Sequence, residues 1–244
     1  MAAIIKLEHV TKKFGGLTAV DDFSGEVETG SIIGLIGPNG AGKTTLFNMM
    51  SCTYPPTSGK ISYKGEDVTA ARTDSMARRG LARTFQVTKP FGDMTVIENF
   101  MVGAFLHTRD RIEARKQAEE IYGYIDMTCG RDKPANETTT VDRKKLEIGR
   151  ALATKPELLL LDEVMAGCNP QEKLELVKTC RKIRESGVTL LVIEHDIKTI
   201  MSLCERIFIL HRGAKLVEGT PDEVANDPRA ISAYLGEDYN AGCK

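Results

Sequence analysis

Hydrophobic positions change their spacing along the chain. Ile4–Val10 (IIKLEHV) alternates apolar and polar residues, the period of a strand with one buried face. Ile32–Ile36 is apolar throughout and predicts a strand buried on both faces. Gly59–Tyr63, with the turn Lys64-Gly65-Glu66-Asp67, predicts another strand entering a hairpin, and Leu81–Gln86 (LARTFQ) a further short strand. From Val96 to about Gly130 the chain becomes helix-forming and charged. Asp132–Thr140 is polar and turn-rich, and a second helix is predicted over Arg143–Thr154. Strands are then predicted at Glu157–Leu161, Thr189–Ile193, Arg206–Leu210 and Lys215–Glu218. Helices fall at Gln171–Ser186 and Lys198–Cys204, and a turn at Arg212-Gly213. Strands alternating with helices predict a mainly parallel sheet covered on both faces. Residues 89–150 read as a helical lobe set into this α/β domain.

The apolar run Ile32–Ile36 leads straight into Gly37-Pro38-Asn39-Gly40-Ala41-Gly42-Lys43-Thr44-Thr45, and a helix is predicted from about Lys43. Strand, glycine-rich turn and helix is the context of a phosphate-binding P-loop. The glycines let several backbone N–H groups converge on one anion, and the helix N-terminus adds partial positive charge. In such a loop Lys43 reaches the β- and γ-phosphates and the Thr44 hydroxyl ligates Mg²⁺.

Composition narrows the field. The 244 residues are 41% hydrophobic, enough for one large domain or a domain with an inserted lobe. A net charge of −1 leaves no electrostatic footprint for bulk nucleic-acid binding. The charged stretch Arg109–Glu120 interleaves acids and bases, as on a solvated helix face with i,i+4 pairs. No stretch approaches the ~20 apolar residues of a membrane span. Lys6, Glu8 and His9 interrupt the first apolar stretch too early for a signal peptide. The six cysteines lack metal-ligand spacing and read as reduced thiols.

A second anchor is Leu158–Glu163 (LLLLDE). A strand ending in Asp162 places a carboxylate at the C-terminal edge of the sheet, where ligands sit in open α/β folds. Beside a P-loop, Asp162 is expected to hold Mg²⁺, directly or through water. Glu163 is expected to orient or deprotonate the water that attacks the γ-phosphate. Gln86 closes LARTFQ and His195 closes Leu190–His195, each at a strand end. Alone, neither would be more than a loop residue.

In order and spacing these segments resemble the ATP-binding subunit of an ABC transporter, a likeness running from LEHVTKKFGG to Gly219-Thr220-Pro221 and beyond. LEIGRALATKP and the ending EGTPDEVANDPRAISAYLGE are similar to the branched-chain (hydrophobic) amino acid importers. The resemblance implies a P-loop NTPase (RecA-like) α/β core with a mainly parallel sheet, an N-terminal antiparallel β subdomain and an inserted α-helical subdomain. The whole chain, 1–244, is then one ABC ATPase domain: core from 1–88 and 151–225, helical subdomain 89–150, C-terminal tail 226–244. Phe14 falls where the family stacks an aromatic on adenine. Gln86 takes the place of its Q-loop glutamine, near Mg²⁺ and the catalytic centre. Asp162 and Glu163 match its metal aspartate and catalytic glutamate, Gly167-Cys168-Asn169 its D-loop, and His195 its switch histidine.

The same resemblance implies ATP and Mg²⁺ as cofactors and a second ATP-binding subunit, identical or similar, facing this one head to tail. It also implies permease subunits as the sole membrane contact, no nucleic-acid partner, and a place on the cytoplasmic face of the cell membrane. Phe91, Met94 and Val96 become candidates for the groove that receives a permease helix.

Two departures stand out. The family's LSGGQ-like signature is replaced by Thr138-Thr139-Thr140-Val141-Asp142. Thr139 keeps a hydroxyl for a γ-phosphate, while Asp142 is expected to put an unpaired negative charge there, offset by Arg143, Lys144 and Lys145. Val164 stands where the family has proline and is expected to loosen the turn after Glu163. The altered signature leaves open a regulatory or weakly hydrolysing subunit. A soluble ABC ATPase outside transport is a further alternative.

Overall fold

Ile5 and Leu7 of the first strand are buried and alternate with the half-buried Lys6 and Glu8, but Ile4 is buried too. A register shift at His9 (φ 51°) puts the next buried residue at Val10, so the expected alternation holds only in part. A computed structural model describes residues 2–84 and 90–235. In chain order the elements are β1 (Ala3–Phe14), β2 (Leu17–Glu28), β3 (Ile32–Ile36), α1 (Lys43–Met50), β4 (Ser58–Tyr63), β5 (Glu66–Asp67), α2 (Thr73–Arg78) and β6 (Leu81–Arg83). There follow α3 (Val96–Ala104), α4 (Arg111–Tyr124), α5 (Thr140–Leu152), β7 (Leu158–Asp162), α6 (Pro170–Glu185), β8 (Thr189–Ile193) and α7 (Ile197–Leu203). β9 (Arg206–His211), β10 (Ala214–Gly219), α8 (Pro221–Asn226) and α9 (Pro228–Ala230) complete the order, before a single π turn at Ile231–Leu235. None of the described helices is long and apolar enough to cross a membrane.

The chain divides into two units, Met1–Thr73 with Thr189–Lys244, and Asp74–Val188. In the first, β2, β1, β4 and β5 form an antiparallel sheet in that order. β3 lies between β8 and β9, parallel to both, and β10 adds antiparallel to β9. All five residues of β3 and of β8 are buried, which explains their unbroken apolar runs. Phe23 of β2 meets Phe208 of β9 edge to face at 5.8 Å. β2 is the long element that the hydrophobic pattern does not foresee. Register shifts between β1 and β2 leave Val20, Phe23 and Val27 as its buried residues, so strict alternation is lost.

In the second unit β6 runs parallel to β7. α3, α4 and α5 pack Ile97, Phe100, Ala114, Ala118 and Leu146 into one apolar cluster. α4 buries only Ala114 and Ala118, and its outer face carries the i,i+4 pair Arg115–Glu119 at 3.6 Å. The charged stretch is thus a solvated helix surface, as its interleaved signs predict.

α3 begins with a reciprocal cap. The Thr95 hydroxyl accepts the Glu98 N–H at 3.2 Å, and the Glu98 carboxylate accepts the Thr95 N–H at 2.9 Å. The Thr95 backbone donor, then its hydroxyl, hold the Glu98 carboxyl below its ordinary value. A depressed carboxyl stabilises the fold above the unfolded pKa and loses that contribution as pH falls through the folded value. Thr95→Ala is therefore expected to cost about 1 kcal/mol at neutral pH, and less in acid, measured as urea-unfolding midpoints across pH.

Candidate nucleotide site

The P-loop is shaped by two places where no Cβ fits. A Cβ on Gly37 would lie 2.2 Å from the Leu210 carbonyl oxygen, and one on Gly42 would lie 2.4 Å from that of Ala19. The loop is therefore pressed against β9 on one side and β2 on the other. Backbone bonds fasten it there: Gly213 N–H to the Ala41 oxygen at 3.0 Å, and Asp21 N–H to the Gly213 oxygen at 2.9 Å. Lys43 is buried, and its Nζ donates to the carbonyls of Gly37 at 2.8 Å and Pro38 at 3.0 Å. The ammonium is thus folded back over its own loop. α1 has no acid in its first turn and no side-chain cap, a helix end that suits an anion. Thr44 is exposed at that end.

His195 follows β8, exposed, just before Asp196 caps α7. Leu35 of β3 pairs with Ile193 of β8, so Gly37 and His195 each lie two residues beyond that pair and leave the same sheet edge. Phe14 ends β1 and is 47% exposed. Tyr54 meets it edge-on at 5.5 Å, and the Lys12 ammonium lies 5.3 Å from its ring centre. An exposed aromatic face held in this way suits stacking on a flat base.

The second unit carries the acids. Asp162 ends β7 and is buried; Glu163 follows with φ 51°, in the left-handed region. Arg83, the last residue of β6, donates from Nη2 to Asp162 Oδ2 at 2.8 Å. Asn169 caps α6 in a reciprocal box with Glu172. Thr139 caps α5: its hydroxyl accepts the Asp142 N–H at 3.2 Å and donates to Asp142 Oδ2 at 2.9 Å. Asp142, 1% exposed, also accepts from the Thr128 N–H at 3.1 Å and from the Thr128 hydroxyl at 2.8 Å. Gln86 lies outside the described residues.

A family model described as ABC transporter matches residues 20–166, and one described as branched-chain amino acid ATP-binding cassette transporter matches residues 214–240. The chain is 37% identical to the high-affinity branched-chain amino acid transport ATP-binding protein BraF of Pseudomonas aeruginosa, over 96% of this chain and 98% of that one. It is 38% identical to LivG of Escherichia coli strain K12, which carries the same description, over the same shares. Among solved structures, an ATP-binding cassette of an ABC transporter in its ADP conformation superposes with a TM-score of 0.87 at 27% identity, covering 97% of this chain and 100% of that one. The chain belongs to the ABC transporter family. It has the α/β P-loop NTPase fold and is an ATP-binding subunit, of a family whose members hydrolyse ATP to drive transport.

Two expectations for this ABC subunit are corrected by its structure. Asp142 is no unpaired charge: the donors of Thr128 and Thr139 satisfy its carboxylate inside the fold. Arg143 and Lys145 are engaged elsewhere. Arg143 bonds to the Asn136 oxygen, and Lys145 to the Asp126 oxygen and Glu175. Val164, where the family has proline, is 1% exposed and packs in the core directly after Glu163. Val96 is no groove residue, since it is fully buried in the helical cluster; Phe91 remains exposed.

Arg83 is the residue that sequence reasoning missed. Its signal was a basic residue at the buried end of the LARTFQ strand, where an ion needs a counter-charge. Burial pushes the nearby Cys129 thiol up, and the Asp142 charge adds to it.

Asp142→Gln is expected to destabilise the chain by about 2 kcal/mol, because it removes a charged acceptor from buried donors. Urea unfolding measures it. Unchanged stability with faster hydrolysis would return the carboxylate to the phosphate side.

Proposed function

We propose that this chain binds and hydrolyses ATP to power the import of branched-chain or other hydrophobic amino acids through membrane permease subunits. The observation that carries the reading is the P-loop cradle, whose buried Lys43 ammonium folds onto the carbonyls of Gly37 and Pro38. A cation held ready in a loop pressed close against two strands at Gly37 and Gly42 suits a phosphate chain better than a neutral ligand. The cargo is supported by the descriptions of BraF and LivG, and by the match of residues 214–240.

In this reading Phe14 stacks on adenine, while Gly37–Thr45 and Lys43 hold the phosphates. The Thr44 hydroxyl and the Asp162 carboxylate, with Gln86, are hard oxygen donors that fit Mg²⁺, which would neutralise phosphate charge. Glu163 accepts a proton from the attacking water, and His195 binds the γ-phosphate side. Most of the rate gain then comes from positioning and electrostatics rather than covalent chemistry. Residues 89–150 form the helical subdomain beside the core of 1–88 and 151–225, and 226–244 the tail. Membrane contact runs only through the permease, at the cytoplasmic face.

A second ATP-binding subunit, identical or similar, completes the site head to tail. The signature segment favours a dissimilar one. The Thr139 hydroxyl already serves the Asp142 N–H and carboxylate, so it has little left for a γ-phosphate of the facing subunit. A partner with an LSGGQ-like segment would serve the ATP bound by Lys43, leaving the opposite site weakly hydrolysing.

Glu163→Gln tests the reading. It is expected to keep ATP binding, lower phosphate release at least about a hundredfold, and accumulate the ATP-bound pair with its partner. Phosphate release at the unmutated rate would remove Glu163 from catalysis.

A further inference from the structure

The ion pair between Arg83 and Asp162 is built into the backbone. The two residues end adjoining parallel strands, and Arg83 pairs in register with Leu160. Next to Arg83, Thr84 donates its N–H to the Leu160 oxygen at 2.9 Å and accepts the Asp162 N–H on its hydroxyl at 3.1 Å. Strand position thus fixes both charged groups; they do not meet by chance of side-chain motion. The side chains are 9% and 2% exposed, so neither charge is well solvated.

A carboxylate this deep is costly without a cation. Arg83 supplies one as part of the fold, so Asp162 never stands in the core as a bare anion when no metal is present. The same guanidinium opposes a divalent ion at that carboxylate. The metal must share the group with a positive charge a few ångströms away or displace it, and repulsion there is little screened.

We propose that Arg83 is a positioning residue that sets the metal dependence of nucleotide binding: it holds the Asp162 carboxylate when Mg²⁺ is absent and weakens the hold on Mg²⁺ when it is present. The inference rests on reading Asp162 as a magnesium ligand.

The test is equilibrium binding of a fluorescent ATP analogue to the full chain, titrated with MgCl₂ from a chelated start. Thermal melts run beside it, with and without Mg²⁺ and ATP. Arg83→Gln is expected to lower the half-saturating Mg²⁺ at least about threefold, because a competing charge is gone. It should also melt lower than the parent without metal, and regain more on adding Mg²⁺ and ATP, since a ligand bound more tightly by the native state stabilises more. A half-saturating Mg²⁺ that stays the same or rises, with equal losses of melting temperature in both conditions, would make the pair purely structural and overturn the proposal. If Arg83→Gln does not fold, Arg83→Met carries the test. Its unbranched stem fills similar space without a charge, so the half-saturating Mg²⁺ must again fall, and no fall overturns the proposal. Asp162→Asn separates the two readings. If it raises the half-saturating Mg²⁺ while the Arg83 variants lower nothing, only the role of Arg83 fails. If Asp162→Asn changes nothing, the metal reading of Asp162 fails and the proposal with it.

Discussion

The backbone of the P-loop passes within contact distance of two other strands, and this squeeze is the constraint on which the rest of the site depends. Gly37 abuts the Leu210 carbonyl and Gly42 abuts the Ala19 carbonyl, each closer than any side chain permits. With the loop so confined, Lys43 enters α1 at its first residue and its ammonium lies over the carbonyls of Gly37 and Pro38. The parallel pairing of β3 with β8 then brings His195 to the same sheet edge. Phe14 stands out on the hairpin that continues into Ala19, steadied by Tyr54 and Lys12. The groups proposed to meet the phosphates and the base in the first unit are therefore placed around one packed turn.

Two buried carboxylates of the second unit are answered within the fold. Asp162 has Arg83, and Asp142 has Thr128 and Thr139. These partners change what the carboxylates do. Asp162 keeps a resident counter-charge. Asp142 accepts the hydroxyl of Thr139, which makes the start of α5 a self-satisfied cap. The signature segment thus contributes to the stability of α5 through its own hydrogen bonds.

Much of this was legible in the residues. β3, β7 and β8 are continuous apolar runs because neighbours cover both faces, and the P-loop spacing carries its own mechanism. β2 was not legible, because bulges against β1 space its buried Val20, Phe23 and Val27 by three and four residues, as a helix would. Partners distant in sequence were hidden too. Nothing local in Asp142 points to Thr128 in the preceding loop, and nothing local in Arg83 points to the end of β7. Local pattern reveals which groups are chemically able; only the fold reveals which are already engaged.

Calorimetric titration of ATP with Mg²⁺ into the isolated chain, beside Lys43→Ala, tests the central claim most directly. The account predicts saturable binding by the parent chain and a loss of at least about tenfold in affinity for the variant, with both melting cooperatively. Equal affinity in the two proteins would show that the phosphates are held elsewhere.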